Sequence, residues 1–159
     1  MIRHGSLSPE QALQKARHYC GYQERCHQEV KEKLYSFGLR RHDLDMAIAT
    51  LIEENYLNEE RFAIQFAGGH FRMKQWGRIK IRYELKQRQV SEYIIKIAMA
   101  TIPEEDYAQT LTRLADRKME TLQTESNPFV RKKKLRDYLL NRGYEQDRIT
   151  ADLSRFSGI

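Results

Sequence analysis

Hydrophobic residues recur every three to four positions along most of the chain, which is the spacing of one face of an α-helix. Ser8 followed by Pro9 is typical of a helix N-terminus, and the helix that they open is expected to end near Gly21. A second helix is predicted over about 24–37, with Gly38 just beyond its end, and a third follows it. Because no segment alternates between apolar and polar residues over the length of a strand, the pattern predicts an all-α protein.

The helical pattern returns along the chain at intervals of about 50 residues. A leucine lies four residues before each of Gly38, Gln89 and Gly143, and an apolar or aromatic residue follows each of them directly. A period of this length with three helices per unit is typical of a helical repeat array, and we expect an elongated, curved molecule. Coincidental periodicity is an alternative, because the middle position has glutamine where the other two have glycine. The pattern divides the chain into three tandem three-helix repeats: 1–57, 58–103 and 104–159.

Composition limits the class of protein. The 159 residues are 31% charged and 40% hydrophobic, with 28 basic against 22 acidic side chains and a net charge of +6. This balance excludes collagen-like and disulfide-rich scaffolds and favours an anionic partner. Cys20 and Cys26 are expected to be free thiols, because on a helix they would point about 240° apart. With no signal-like apolar run and no stretch long enough to span a bilayer, the sequence predicts a cytoplasmic protein without a membrane partner. We expect it to be a monomer.

Basic residues are concentrated in two segments. Segment 72–88 contains seven bases and one acid, and segment 131–136, in the equivalent helix of the third repeat, contains five bases. Two related basic helices predict one extended track that contacts phosphates without sequence preference, although a solvated helix face is the alternative for each. Trp76 lies among these bases and is expected to be a core or joint residue rather than a surface for base stacking. The candidate binding residues are Arg72, Lys74, Arg78, Lys80, Arg82, Lys86, Arg88, Arg131, Lys132, Lys133 and Lys134.

The sequence contains no motif of a known catalytic chemistry. Phosphate-binding glycine loops, the G-x-S-x-G elbow and the H-E-x-x-H zinc motif are all absent, and the Cys and His spacings match no common zinc pattern. Four glutamates at positions 53, 54, 59 and 60 are a candidate metal site of a nuclease, but acids at a helix junction are also expected for capping. We therefore predict no catalytic residue, metal or cofactor. The pair at 68–69, two glycines inside a predicted helix, indicates a kink or a close helix contact.

Three motifs together resemble one family. The run Y-L-N-E-E-R-F-A at 56–63 is similar to the pattern Y-L-[ND]-[DE]-x-x-[FY]-A of the RecX family, regulatory proteins that modulate the RecA recombinase. The run K-Q-W-G at 74–77, with Ile81 and the pair E-L at 84–85, resembles the same family's K-x-x-G-x-x-x-I-x-x-E-L. The first repeat contributes a weaker R-x-x-x-E-x-x-x-K-L-x-x-x-G match over 25–38. The resemblance covers residues 10 to 153, and it departs from the family at Gln89 (usually glycine), at Cys26 (usually serine) and in the glycine pair at 68–69.

The resemblance implies a function as well as a fold. It implies three tandem three-helix units that bind along the RecA–DNA filament and inhibit strand exchange, ATP hydrolysis and coprotease activity. Such a protein acts in DNA repair, homologous recombination and the SOS response, contacts single- or double-stranded DNA, and catalyses no reaction itself. Two alternatives come from the residues alone: a free-standing helical-repeat protein that binds nucleic acid without a recombinase, and a metal-dependent nuclease that uses the glutamates at 53–60.

Overall fold

The computed structural model describes residues 7–156, and every regular element in that range is a helix. This confirms the predicted all-α class, which follows from apolar residues at helical spacing throughout the chain. The helices are α1 (Pro9–Tyr22), α2 (His27–Ser36), α3 (Arg41–Glu53), α4 (Glu59–Lys74), α5 (Arg78–Gln87), α6 (Glu92–Ala100), α7 (Glu104–Thr121), α8 (Pro128–Asn141) and α9 (Gln146–Leu153).

Helix α1 begins where the sequence predicts, whereas α2 begins three residues later. The Ser8 hydroxyl accepts a hydrogen bond from the Gln11 backbone N–H at 3.2 Å, and the Gln11 side chain accepts one from the Ser8 N–H at 3.1 Å. The N-cap of α2 is Cys26, whose backbone is extended and whose N–H donates to Glu29. A helix from position 24 is therefore wrong, because the cap at Cys26 takes up the turn that we assigned to the helix.

Three helix ends share one hydrogen-bond pattern. Gly38, Gln89 and Gly143 adopt left-handed backbone angles, with φ of 102°, 61° and 98°. In each turn the next residue donates its N–H to the carbonyl of the leucine five positions back, as in a Schellman motif. These bonds run from Leu39 to Leu34 at 3.2 Å, from Val90 to Leu85 at 3.1 Å and from Tyr144 to Leu139 at 3.2 Å. The repeat in the sequence is therefore also a repeat of structure, and coincidental periodicity is wrong.

The described chain forms two compact units by contact density. Of the described residues, the first unit comprises 7–66 and 85–97, and the second comprises 67–84 and 98–156. In the first unit α1, α2 and α3 pack around a core that includes Ala12, Ala16 and Leu34, and the acid at the end of α3, Glu54, is held by Arg17 through two hydrogen bonds of 2.8 and 2.7 Å. The burial of Ala12, Ala16 and Leu34 agrees with the helical spacing of apolar residues in the sequence.

Two buried tyrosines form the centre of the second unit. Tyr107 and Tyr144 are fully buried with their ring centroids 5.2 Å apart, and Phe71 packs against Tyr107 at 5.8 Å. The Tyr107 hydroxyl donates to Glu145 and accepts the Arg78 backbone N–H at 3.1 Å. Burial raises the pKa of both tyrosines above the ordinary value, because the phenolate would be poorly solvated there.

Candidate nucleic-acid interface

Ten of the eleven predicted binding residues lie on helices α4, α5 and α8, and Arg88 lies in the turn directly after α5. The structure separates the eleven by exposure. Five of them are exposed: Arg72, Lys74, Lys86, Lys133 and Lys134. Six are half-buried: Arg78, Lys80, Arg82, Arg88, Arg131 and Lys132.

The turn between α4 and α5 is fixed by hydrogen bonds with the turn that follows α8. The Gly77 N–H donates to the Arg142 carbonyl at 2.8 Å, and the Tyr144 hydroxyl donates to the Gln75 carbonyl at 3.0 Å. The Arg142 guanidinium donates to the Lys74 carbonyl at 2.6 Å. The K-Q-W-G motif thus has a structural role, because each of its backbone groups named here has a partner on the other turn.

Two of the predicted cations lie close to the indole ring of Trp76. His70 stacks on its ring, with centroids 4.5 Å apart and planes at 27°. The Nζ atoms of Lys80 and Lys74 lie 4.7 and 5.5 Å from the centroid of a Trp76 ring, within cation–π range. The indole is half-buried between α4 and α5, which is the joint that the sequence predicted rather than a core position. We call Trp76, His70, Lys74 and Lys80 the tryptophan cluster.

Arg78, by contrast, is held inside the second unit. Its guanidinium lies 2.5 Å from Glu104 and 3.1 Å from Glu145, and it covers the Tyr107 ring at 3.7 Å from the centroid. Arg148 also pairs with Glu104, and burial, with the nearby charge of Arg78, lowers the pKa of Arg148. Sequence reasoning missed this anchoring role because the acids that meet Arg78 are 26 and 67 residues away along the chain.

Other predicted cations also have intramolecular partners. Lys86 lies 3.3 Å from Glu92, and the guanidinium of Arg88 lies 4.7 Å from the centroid of Phe66. On α8 Lys133 pairs with Asp137 at 2.9 Å. Surface pairs of this kind contribute about 0–1 kcal/mol, so they weaken the attraction for phosphates only partly.

Glu125 lies beside the beginning of α8 and partly neutralises its basic residues. Arg131 donates twice to the Glu125 carbonyl, at 3.1 and 2.6 Å, and the Lys134 ammonium lies 3.4 Å from the Glu125 carboxylate. The hydrogen bond from the Asn127 N–H, followed by that from Lys134, lowers the pKa of Glu125. Arg131 therefore stabilises the loop before α8 as well as adding charge.

Two apolar side chains on α5 are exposed and were not among the predicted site residues. Ile79 is 53% exposed and Tyr83 is 59% exposed, and they are four residues apart, so they share one face of the helix. Ile81 and Leu85 occupy the opposite, buried positions. The sequence did contain a sign of this surface: Ile79 and Tyr83 form a second apolar pair at helical spacing, in addition to the buried pair Ile81 and Leu85.

The other candidate chemistries find no site within residues 7–156. In that range no group of three or more His, Cys, Asp or Glu side chains could hold a metal ion. Of the glutamates considered for a nuclease, Glu54 is bound by Arg17 and Glu59 lies 3.2 Å from His27. Two of the four acids considered for the nuclease alternative thus contact basic side chains.

The cysteines and the glycine pair have structural explanations. Cys20 and Cys26 are buried free thiols, and burial raises the pKa of Cys26 to about 12, so it is not a nucleophile at neutral pH. At Gly68 a Cβ would meet the Arg72 guanidinium of the same helix at 2.7 Å, whereas Gly69 has open space around it. We expected a kink or a close helix contact at 68–69, and the nearest atoms that a Cβ at Gly68 would meet belong to a side chain one turn along α4.

These features define the class of protein as an all-helical repeat protein with basic and aromatic side chains on its surface. Among the described residues, no helix is both long and apolar enough to cross a membrane. Two family models match the chain: the second three-helix domain of RecX over residues 58–99 and the third three-helix domain of RecX over residues 104–151.

Relatives and solved structures agree with these models. A regulatory protein RecX from Clostridium perfringens (strain 13 / Type A) is 34% identical over 120 residues, which cover 75% of this chain and 56% of that protein. One from Prosthecochloris aestuarii is 32% identical over 142 residues, which cover 89% of this chain and 91% of that protein. The crystal structure of RecX from Lactobacillus salivarius superimposes with a TM-score of 0.84 at 19% identity and covers 95% of this chain and 97% of that one. The chain belongs to the RecX family, although it spans only about half the length of the Clostridium perfringens relatives.

Proposed function

We propose that the protein is a non-enzymatic regulator that binds the filament of the RecA recombinase on DNA and inhibits strand exchange, ATP hydrolysis and coprotease function. Membership of the RecX family supports a regulatory role. The observation that carries the DNA contact is the tryptophan cluster, where Lys74 and Lys80 lie beside an aromatic ring at the end of α4 and the start of α5. Both buried thiols are free, which fits a reducing compartment such as the cytoplasm.

The surface of α5 supports contact with a partner that contains both protein and DNA. Ile79 and Tyr83 present apolar area there, and Arg82 lies beside them on the same helix. Exposed aromatic residues and arginine are the types enriched at protein interfaces, while lysines suit phosphates. A nucleoprotein filament presents both kinds of surface, whereas naked DNA makes little use of an exposed isoleucine.

The decisive experiment measures the DNA-dependent ATPase of RecA while the protein is titrated at concentrations too low to coat the DNA. We expect ATP hydrolysis to fall well before the DNA is saturated. Suppression only at saturating concentrations would support the second candidate, a free-standing helical-repeat nucleic-acid-binding protein.

A charge-matched pair of variants tests the DNA contact. Lys74→Gln combined with Lys80→Gln removes two charges from the tryptophan cluster, and Lys31→Gln combined with Lys96→Gln removes two exposed charges elsewhere. If each clustered lysine contacts a phosphate, the first variant reduces the slope of log affinity against log salt by about 0.7–0.9 per lysine. Equal losses in both variants would show that the charge acts diffusely and that this cluster is not the contact.

A further inference from the structure

A cleft with basic and aromatic walls lies between α1 and α2, within the first compact unit. Its volume is about 620 Å³, which is in the range of small-ligand sites. Its lining includes three cations and three aromatic rings and, in the part of the chain that the structure describes, no carboxylate. The lining residues are Gln14, Lys15, His18, Tyr19, Tyr22, Arg25, Lys33 and Phe37.

The two walls come from one face of each helix. On α1 Lys15, Tyr19 and Tyr22 are spaced by four and three residues, so their side chains project in the same direction. Lys33 near the end of α2 and Phe37 at its C-cap are four residues apart and form the facing wall. The first repeat has as many acidic as basic residues, so its net charge gives no sign that three of its eight bases line one cleft.

Arg25, in the loop between the two helices, is locked in place at one end of the cleft. Its Nε donates to the Tyr19 carbonyl at 3.1 Å, and its guanidinium carbon lies 3.7 Å from the centroid of the Tyr19 ring. A third contact joins Arg25 to Glu29 at 3.8 Å, and only 13% of the arginine side chain is exposed. The positive charge therefore offsets the negative end of α1, which would otherwise repel an anion.

The remaining groups are available to a ligand. Tyr22 is 80% exposed, and the Lys33 ammonium lies 5.3 Å from the centroid of Tyr19 and 5.6 Å from that of Phe37. An exposed planar ring in the same cleft as two ammonium groups suits a ligand that has both a planar face and a negative charge. A nucleotide with an unpaired base has both.

We propose that this cleft binds an unpaired nucleotide, with the base against Tyr22 and the phosphate between Lys15 and Lys33. The site is distinct from the tryptophan cluster and does not depend on a recombinase partner. Single-stranded nucleic acid and free nucleotides share this chemistry, whereas paired bases in a duplex are not free to stack on a tyrosine ring.

Photocrosslinking of the full chain locates the nucleotide. An oligothymidylate that carries one 5-iododeoxyuridine is irradiated with the protein, and the modified peptide is identified by mass spectrometry; 5-iododeoxyuridine triphosphate in a parallel arm separates a free nucleotide from a strand. We expect crosslinks at Tyr22 or Tyr19, reduced about fivefold or more by Lys33→Gln but not by Lys31→Gln on the exposed side of α2. Crosslinks confined to Trp76 would overturn the proposal while leaving the tryptophan cluster as a DNA contact.

Binding measurements supply a second, independent test. Fluorescence anisotropy compares a labelled oligothymidylate with a duplex of equal length, using Tyr22→Ala and, as the matched control, Tyr93→Ala, which removes a ring that is 75% exposed on α6. We expect Tyr22→Ala to weaken single-strand binding about fivefold or more, in line with one lost stacking contact, and Tyr93→Ala to leave it unchanged. The proposal is wrong if the two variants bind alike, or if polyglutamate competes as well as the oligonucleotide, which would indicate a site for acidic peptides. Inhibition of the RecA ATPase, measured on the same variants, reports separately on the proposed function.

Discussion

Gly77 approaches Gly143 so closely that a Cβ at position 77 would lie 2.3 Å from the Gly143 carbonyl carbon and oxygen. These obstacles are backbone atoms of the turn after α8, which cannot rotate away as a side chain would. Glycine in the K-Q-W-G motif is therefore required by the contact between the two turns, and not by its own backbone angles, which are not in the left-handed region.

Gly77→Ala should lower the free energy of unfolding by about 1–3 kcal/mol, because the added methyl group forces the two turns apart. Gly69→Ala is the matched control, since a Cβ there meets nothing within 4 Å and alanine is the better helix former. Urea denaturation should show the control unchanged or more stable by up to about 1 kcal/mol. Equal stability of both variants would mean that the turns move apart without cost.

Gln89→Gly should stabilise the protein by up to about 1 kcal/mol. Gln89 has a φ of 61°, which is unfavourable for a residue with a Cβ, and glycine removes that penalty at some cost in the entropy of the unfolded chain. The comparison is Gln87→Gly at the last residue of α5, where glycine gains no relief of strain and we expect a loss of up to about 0.5–1 kcal/mol. Thermal or chemical denaturation of the pair would contradict the interpretation if both changes were destabilising to the same extent.

Replacing Leu34 or Leu85 by alanine should cost about 2–5 kcal/mol each. Both side chains are fully buried, and both carbonyls accept the hydrogen bond that closes a Schellman turn. Leu140, which is 38% exposed and next to the equivalent Leu139, provides a control that should lose much less on truncation. Denaturation curves of the three variants, measured under one condition, give the free energies of unfolding to compare. Equal losses at all three positions would contradict the prediction.

Arg78→Gln should reduce stability while changing affinity for DNA only slightly. The substitution leaves Glu104 and Glu145 without their shared cation, and a hydrogen bond to a charged group contributes about 1.5–3 kcal/mol. Because the Glu104 side chain is 64% exposed, water screens that pair, and we expect the lower part of the range. Lys80→Gln should show the opposite behaviour: near-native stability and a smaller salt dependence of DNA binding. A large drop in the salt dependence of DNA affinity for Arg78→Gln would show instead that this arginine contacts a DNA phosphate.

Stability should also fall in alkaline solution through Cys26. Burial raises its pKa from 9.0 to about 12, so the folded state holds the thiol proton more tightly than the unfolded state does. The resulting stabilisation is complete below about pH 9 and declines as the pH rises toward 12. Cys26→Ala removes this contribution, so the difference in unfolding free energy between wild type and variant should shrink from pH 7 to pH 10. A difference that does not depend on pH would contradict the assignment.

The positions of the helices and of their buried residues could be predicted from the sequence, because they follow from its periodicity. Contacts between side chains that are far apart in the sequence could not. The burial of Leu34, Leu85 and Leu139 follows from spacing alone, because each lies on the apolar stripe of its helix and five residues before the apolar or aromatic residue that ends a Schellman turn. The position of Arg78 does not follow in the same way, since its role depends on acids brought near by folding.

Contacts between residues far apart in the sequence also explain why the observed surface differs from the expected binding track. Charge runs show how many cations a segment has but not which of them a distant carboxylate neutralises, as Glu125 does for Lys134. Nor did the neutral total of the first repeat indicate that Lys15 and Lys33 face one cleft. Sums of charge over a repeat discard the direction in which each side chain points.

The three Schellman turns also supply the molecule with a built-in set of exchange probes. The backbone N–H groups of Leu39, Val90 and Tyr144 donate equivalent hydrogen bonds to the carbonyls of Leu34, Leu85 and Leu139, respectively. Their exchange with deuterium therefore compares local opening at three chemically equivalent points without any label. The Val90 amide should exchange faster than the Leu39 and Tyr144 amides. Its neighbour Gln89 has a Cβ and a φ of 61°, so opening of the turn relieves an unfavourable backbone conformation that glycine does not have.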